Sequence, residues 1–234
     1  MHIVIGANGL AKQVLPLFNK NPRVVFFDDT PNAPTWLHFH QVWNDIEYVK
    51  ERIGSAPFKF TICIGNPKWR KHFSDLMLSL GGKSDNIFSD KSSISQVAEL
   101  GQGNIFLDYT LVEADTKLGF CNLINCYAGI FHDVQIGNYN EIMPGAKLLG
   151  GSKIGDYCRI GSNATILPNV EICSNVVIGA GAVVTKSITE PGTYVGIPAR
   201  IYQKIGSGKG ILNNHIEDVN YDIDNQSGAS SIED

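Results

Sequence analysis

No stretch of the 234-residue chain approaches the roughly 18 consecutive apolar residues that a membrane-spanning helix needs, so no membrane partner is expected. The N-terminal Met-His-Ile-Val-Ile-Gly reads as the start of a strand and has none of the charged-then-apolar layout of a secretory signal. The five cysteines (Cys63, Cys121, Cys126, Cys158 and Cys173) are odd in number and include no C-x-x-C pair. That pattern argues against a disulfide scaffold or a zinc site, and for reduced thiols in a cytoplasmic protein with no metal. Positive charge is in short supply. Against 23 Asp and Glu stand 19 Lys and Arg, a net charge of −4, so there is no bulk attraction to nucleic acid. Six of the acids (Glu217, Asp218, Asp222, Asp224, Glu233, Asp234) sit in residues 210–234, which hold no Lys or Arg; the rest carries 19 bases against 17 acids, net +2. What the chain has in quantity is apolar side chains, at 43%, enough to bury the core of one large domain or two small ones.

Those apolar residues fall on a period of six. From Ile94 through Leu100, Phe106, Val112 and Leu118 to Ile172, Ile178 and Val184, sixteen successive sixth positions are apolar. At the chain's own apolar frequency this would arise by chance about once in a million, so the repeat governs the fold. Four places after each of the first fifteen sits a small or medium residue, among them Ala98, Asn104, Thr110, Asn122, Ala128, Asn140, Cys158 and Ala164. A helix needs apolar spacing near 3.6 and a single strand needs about 2. Six fits neither as one long element. It fits a short strand, a corner and the next strand, with one large and one small residue per hexad filling a narrow interior. Gly101, Gly119, Gly137 and Gly155 are eighteen apart, as are Gly161 and Gly179. Eighteen is three hexads, so each turn has three sides. The glycines are expected to stack at a corner whose backbone conformation glycine tolerates best. The whole reads as a parallel β-helix of triangular section, about five coils long.

Residues 1–88 lack this period. His2–Ile5 reads as a buried strand, with Gly6-Ala7-Asn8-Gly9-Leu10 opening a helix; Val24–Phe27 is a second strand, ending in Asp28-Asp29. Val42, Ile46, Val49 and Ile53 form a helical stripe, Phe60–Ile64 a third strand, and Phe73, Leu76, Met77 and Leu80 a second stripe. Alternating strands and helices imply a small parallel α/β domain over 1–88, ahead of a β-helix over 89–205. Residues 206–234, rich in Gly, Asn, Ser and Asp, read as an acidic, disordered tail. Gly-x-x-Gly after a strand offers backbone N–H groups to a phosphate, and Asp28 and Asp29 lie where a dinucleotide-binding fold carries its ribose-binding acid. The G-x-G-x-x-G fingerprint fails, because Asn8 and Ala11 stand where glycines are required. That disfavours a nicotinamide cofactor. It leaves a mononucleotide diphosphate, or a turn that is merely tight.

The order "IGANGLAK", "FFDD", "CIGNPKWR", hexads with "INCYAGIFHDVQIG", and a closing "YVGIPAR" resembles the sugar N- and O-acyltransferases of the hexapeptide-repeat superfamily. These are enzymes of bacterial surface-polysaccharide (lipopolysaccharide O-antigen) synthesis, and the resemblance spans roughly residues 2–202. It implies a Rossmann-like α/β N-terminal domain followed by a left-handed parallel β-helix, a handedness that spacing alone does not give. The implied substrate is a nucleotide-linked amino sugar. Its pyrophosphate would be wrapped by Gly6, Ala7, Asn8 and Gly9, its nucleoside met by Asp28 and Asp29, and Gly65 and Asn66 would complete the site. Arg70 matches the same segment, with a solvated helix residue as its alternative. Asn125 matches an Asn near the acceptor. Acetyl-CoA is the implied co-substrate, placed along Gly150, Gly161, Ser162, Gly179, Ala180 and Lys186, and the implied assembly is a homotrimer with each site shared by two chains. Leu10 and Glu141 depart from the pattern, since each stands where relatives have His.

Of six histidines, His132 alone lies in the hexad region. Ile130 and Val134 of its hexad point inward, so His132 falls at a corner and points out, with Asp133 beside it to orient the imidazole. Eighteen residues on lie Gly150 and Gly151. Two residues without side chains, one coil away at about 4.8 Å, are expected to leave a notch beside the ring that takes a thioester, with the Gly150 N–H facing its oxygen. A simple corner is the alternative for that glycine pair. A neutral imidazole with a pKa near ~6.5 suits removal of a proton from an attacking amine or hydroxyl. The function expected is therefore N-acetyl transfer to a nucleotide-linked (dideoxy) amino sugar by direct attack on the thioester, with His132 as general base and Asp133 its partner. O-acetylation of a sugar hydroxyl and a non-catalytic sugar-nucleotide-binding β-helix remain as alternatives.

Overall fold

The computed structural model of the chain describes residues 1–18 and 23–202; the acidic segment 206–234 lies outside the described residues. The first elements follow in the order β1 (His2–Ile5), α1 (Gly9–Val14), β2 (Val24–Phe27), β3 (Trp36–Leu37), β4 (His40–Trp43), α2 (Ile46–Ile53), β5 (Lys59–Ile62), α3 (Pro67–Ser79) and β6 (Lys83–Ser84). They build one sheet in the order β3-β4-β2-β1-β5-β6, parallel except for the β3–β4 hairpin. β1 lies at its centre and is buried along its whole length. Ala11, Val14 and Phe18 cover one face of the sheet; Val49, Ile53, Phe73 and Met77 cover the other. The first of these layers also packs on Ile105, Leu107 and Leu123 of the coil, so the two parts share an apolar seam.

The structure alters one expected element. Val42 is not on a helix: it pairs with Phe26 in β4, and the helix starts only at Ile46, where the Asp45 side chain accepts the Glu47 N–H at 2.8 Å. Val42 and Ile46 happen to be four apart, and that spacing mimics a helical stripe across a strand–cap–helix junction.

From Ile87 the chain winds as a left-handed parallel β-helix with three faces. The first face stacks strands at Ile87–Phe88, Ile105–Phe106, Leu123–Ile124, Glu141–Ile142, Arg159–Ile160 and Val176–Ile178; the second runs from Ser93–Ile94 to Val183–Val184; the third from Glu99–Leu100 to Glu171–Ile172. The strands up to Val183–Val184 pair at an offset of eighteen, for example Ile105 with Leu123 and Leu111 with Gly129, and the closing pairs, Val176 with Gly192 and Ile172 with Ile188, are sixteen apart. A Gly192–Val195/Arg200–Ile201 antiparallel pair closes the C-terminal end of the first face. No described helix is long and apolar enough to cross a membrane.

The large hexad residues from Phe106 to Val184 are buried, as are the small ones from Asn104 to Ala182. Three of the polar ones, all asparagines, satisfy one another. Asn104 Oδ1 accepts from Asn122 Nδ2 at 3.0 Å, Asn122 Oδ1 accepts from Asn140 Nδ2 at 3.1 Å, and Asn140 Oδ1 accepts the Cys158 N–H at 2.6 Å. The glycine column has a different cause from the one expected. Gly101, Gly119, Gly137 and Gly155 are not left-handed; a Cβ on Gly101 would lie 2.5 Å from the Gly119 carbonyl oxygen, and one on Gly119 2.7 Å from that of Gly137. They are glycine because successive coils approach too closely for a side chain. The left-handed residues come two places later, at Gly103 (φ 75°), Cys121 (φ 52°), Tyr139 (φ 58°) and Tyr157 (φ 58°).

Asn122 gives and receives bonds in the middle of the interior ladder. Its replacement by Ala leaves the buried Asn140 N–H and Nδ2 without the acceptor Asn122 Oδ1 supplies, which is expected to cost about 2–4 kcal/mol. A urea unfolding midpoint equal to that of the native chain would contradict this.

Candidate active site

Because β2, β1 and β5 are neighbours, the loops leaving their C-terminal ends meet at one edge of the sheet: Gly6–Gly9, Asp28–Asp29 and Gly65–Asn66. Gly6 is left-handed at φ 96°, and a Cβ there would lie 2.7 Å from the Cys63 carbonyl oxygen, so the turn requires glycine. Asp28 is buried. Its Oδ2 accepts the Ala7 N–H at 2.7 Å and its Oδ1 accepts the Thr30 N–H at 3.1 Å, so it braces the glycine turn, while Asp29 beside it is exposed. Asn66 caps α3, accepting the Lys68 N–H at 2.9 Å. Leu10 packs into the apolar seam between the two parts.

Arg70 is fully buried, which excludes the solvated alternative. It donates to the carbonyls of Ile62 (3.1 Å), Ile64 (2.8 Å) and, across the seam, Cys121 (2.8 Å). Glu141 pairs with Arg159 at 2.9 Å and lies against Gly65, whose missing Cβ would stand 2.8 Å from Glu141 Oε1. Burial pushes the Glu141 carboxyl up, and Arg159 and Arg70 oppose that shift.

His132 and Asp133 form the corner between the second and third faces, with Asp133 left-handed at φ 60°. The imidazole is 64% exposed, and its Nδ1 lies 2.8 Å from Asp133 Oδ2. The His132 peptide is held at both ends: its N–H donates to Glu113 Oε2 at 3.1 Å and its carbonyl accepts the Gly151 N–H at 3.0 Å. The hydrogen bond that His132 Nδ1 donates to Asp133 raises the His132 pKa above the ordinary histidine value, and the negative charges of Asp133 and Glu113 add to the rise. His2 is the opposite case: burial lowers it to about 4, in the core beside Thr61. Inside the coil, burial pushes the Cys158 thiol up to about 11.

The expected notch is occupied. A Cβ on Gly150 would lie 2.5 Å from His132 Cε1 and 2.7 Å from Nε2, so the imidazole itself fills that gap. One on Gly151 would lie 2.5 Å from Asn169 Oδ1. The glycine pair seats the ring and the next corner; it does not leave an empty slot. The Gly150 N–H makes no hydrogen bond among the described residues.

Within one protomer the expected site residues form three groups. Gly6, Ala7, Asn8, Gly9, Asp28, Asp29, Gly65 and Asn66 share the sheet edge. Asn125, Gly161, Ser162, Gly179 and Ala180 lie along the corner between the first and second faces; Asn125 is buried, its Nδ2 donating to the Ile142 carbonyl at 3.3 Å. His132, Asp133, Gly150 and the exposed Lys186 lie along the next corner, with the whole second face between. Gly161 is required by stacking, since its Cβ would lie 2.5 Å from the Ile178 carbonyl oxygen. Glu113 escaped the sequence reading. The only signal for it is that it lies nineteen residues before His132, on the preceding coil of the same corner.

The bacterial transferase hexapeptide (six repeats) family matches residues 133–167 and 151–186. Among solved structures, the chain is similar to WeeI from Acinetobacter baumannii AYE, at 30% identity and TM-score 0.80, over 86% of this chain and 99% of that one. It is similar to the acetyltransferase domain of PglB from Neisseria gonorrhoeae FA1090 in complex with acetyl coenzyme A, at 27% identity and TM-score 0.80, over 86% and 98%. A perosamine N-acetyltransferase from Caulobacter crescentus, at 23% identity and TM-score 0.81 over 87% and 97%, shares the fold. Among curated proteins, none matches the chain.

Titration of the His132 imidazole by NMR is expected to give a pKa above about 6.5, and Asp133→Asn to move it down toward that value. A native pKa at or below it would contradict the geometry described.

Proposed function

The chain belongs to the hexapeptide-repeat acyltransferases, and from that footing we propose that it moves an acetyl group from acetyl-CoA to the amino group of a nucleotide-linked amino sugar. The observation that carries this reading is the imidazole of His132, tied through Nδ1 to Asp133 and seated on Gly150, with Nε2 left to act. Asp133 favours the tautomer with the proton on Nδ1, an assignment drawn from the hydrogen bond. Nε2 then accepts a proton from the amine as its nitrogen attacks the thioester carbonyl. The tetrahedral intermediate carries its negative charge on oxygen, and the Gly150 N–H is the donor we assign to it. Collapse breaks the C–S bond, and the proton held on Nε2 goes to the departing CoA thiolate. No covalent enzyme intermediate is needed, and His132 serves as base and then acid.

The substrate assignments follow the grouping of residues. Gly6, Ala7, Asn8 and Gly9 would hold the pyrophosphate, Asp29 the nucleoside, and Gly65 and Asn66 the neighbouring part of the ligand. Asp28 would act on this site by bracing the turn, because its oxygens are already engaged. Gly161, Ser162, Gly179 and Ala180 on one corner and Gly150 and Lys186 on the next would form the two walls of an acetyl-CoA cleft. In one protomer those corners stand at opposite ends of the second face, which supports a homotrimer in which adjacent prisms each supply one wall, with Asn125 near the acceptor. The acetyl-CoA complex of a 27% identical domain supports the choice of donor. Free thiols at all five cysteines fit a cytoplasmic enzyme.

The test is thiol release from acetyl-CoA against dTDP-, UDP- and GDP-linked amino sugars and their hydroxy counterparts. Release is expected with at least one amino sugar and not with its hydroxy counterpart; release with hydroxy sugars alone would replace N- by O-acetylation, and release with none would overturn the reading. Gly150→Ala, which pushes a methyl group into the ring, is expected to lower kcat about a hundredfold. Native turnover in that variant would contradict the seat assigned to the imidazole.

A further inference from the structure

At the corner between the third and first faces, each coil secures the one before it. Asn138 Oδ1 accepts the Phe120 N–H at 2.9 Å, Asp156 Oδ1 the Asn138 N–H at 2.6 Å, and Ser174 Oγ the Asp156 N–H at 2.9 Å. His132 occupies the same place in its own corner, and the residue eighteen further on is Gly150. Glycine has no side chain to accept the His132 N–H, and it has no room for one, because the imidazole takes that space. The acceptor comes from the preceding coil instead: Glu113 Oε2 takes the His132 N–H at 3.1 Å.

We infer that Glu113 is a positioning residue for acyl transfer, holding the His132 backbone so that Nε2 stands where the attacking amine must pass. The inference rests on His132 being the base. Asp133 fixes the rotation of the ring through Nδ1; Glu113 fixes the backbone from which the ring is carried. The two constraints act on different atoms. A carboxylate accepting an amide N–H is a charge-assisted bond, as Asp156 also makes at the other corner, whereas Asn138 and Ser174 there accept as neutral groups. Of the groups facing the ring, Asp133 and Glu113 are acidic, Asp115 stands one coil before Asp133, and Gly150 and Gly151 bring no charge. Lys147, on the second face, donates to the Tyr127 carbonyl at 2.8 Å. Removing the Glu113 charge therefore takes away a group that favours the imidazolium, whether or not an acceptor is left behind.

The test uses the full chain with Glu113→Ala and Glu113→Gln, the fastest amino sugar of the thiol-release panel, and NMR titration of the His132 imidazole. Glu113→Ala is expected to lower kcat about ten- to a hundredfold, with the KM for acetyl-CoA within about twofold of native. Glu113→Gln keeps an oxygen to accept the N–H and is expected to restore most of that loss. Both variants should lower the imidazole pKa and move the acid limb of the pH–rate profile to lower pH. Native kcat and native imidazole pKa in Glu113→Ala would overturn the inference. So would a loss that Glu113→Gln does not relieve, or one that falls wholly on KM. His132→Asn separates the two claims. If it keeps native turnover, the base assignment fails. If it is inactive while both Glu113 variants behave as native, only the Glu113 assignment fails.

Discussion

The structure depends on one constraint: backbone hydrogen bonding between coils in strict register, residue i against residue i+18. At a coil spacing of about 4.8 Å, whatever occupies a corner position meets its counterpart directly above and below. The interior answers with a ladder of asparagines that bond one another, and the third-to-first corner answers with a column of glycines that lets backbones touch. The same rule sets the candidate site. His132 has room to lie flat on the next coil only because Gly150 is there, and its N–H must find an acceptor elsewhere because Gly150 is there.

Much of this was legible in the sequence, because a period of six over sixteen positions leaves little freedom. The large and small interior positions, the three faces, the outward aim of His132 and its contact with Gly150 all follow from counting. What counting misses is direction and size. It places Gly150 beside His132, but not the fact that the ring itself fills the vacancy. It finds the glycine column but suggests a left-handed backbone there, whereas the left-handed residues come two places later, at Gly103, Cys121, Tyr139 and Tyr157. Glu113 was invisible because its long side chain crosses between coils at an offset of nineteen, and a register argument looks only at eighteen. In the α/β part the central strands were plain from their β-branched and aromatic runs. The β3–β4 hairpin was not, because Val42 sits four residues before Ile46 and the pair imitates a helical stripe.

The two parts of the chain meet through an apolar seam and through Arg70, whose guanidinium joins the end of β5 to the Cys121 carbonyl. Glu141 and Arg159 continue that contact beside Gly65. The edge that carries the glycine turn and Asp29 is thus held in a set relation to the first face, while the imidazole stands at the far end of the second. In one protomer the edge proposed for the acceptor and the imidazole proposed as the base do not meet, and the proposed trimer would supply the missing adjacency by placing a neighbour's surface against each.

The most direct measurement is steady-state turnover of His132→Asn against the native chain, with saturating acetyl-CoA and the preferred nucleotide-linked amino sugar. Loss of kcat by about a hundred- to ten-thousandfold, with the coil still folded, is the outcome required of a general base. Undiminished kcat in that variant would contradict the role given to the imidazole, and with it the reading of this corner as the place where acyl transfer occurs.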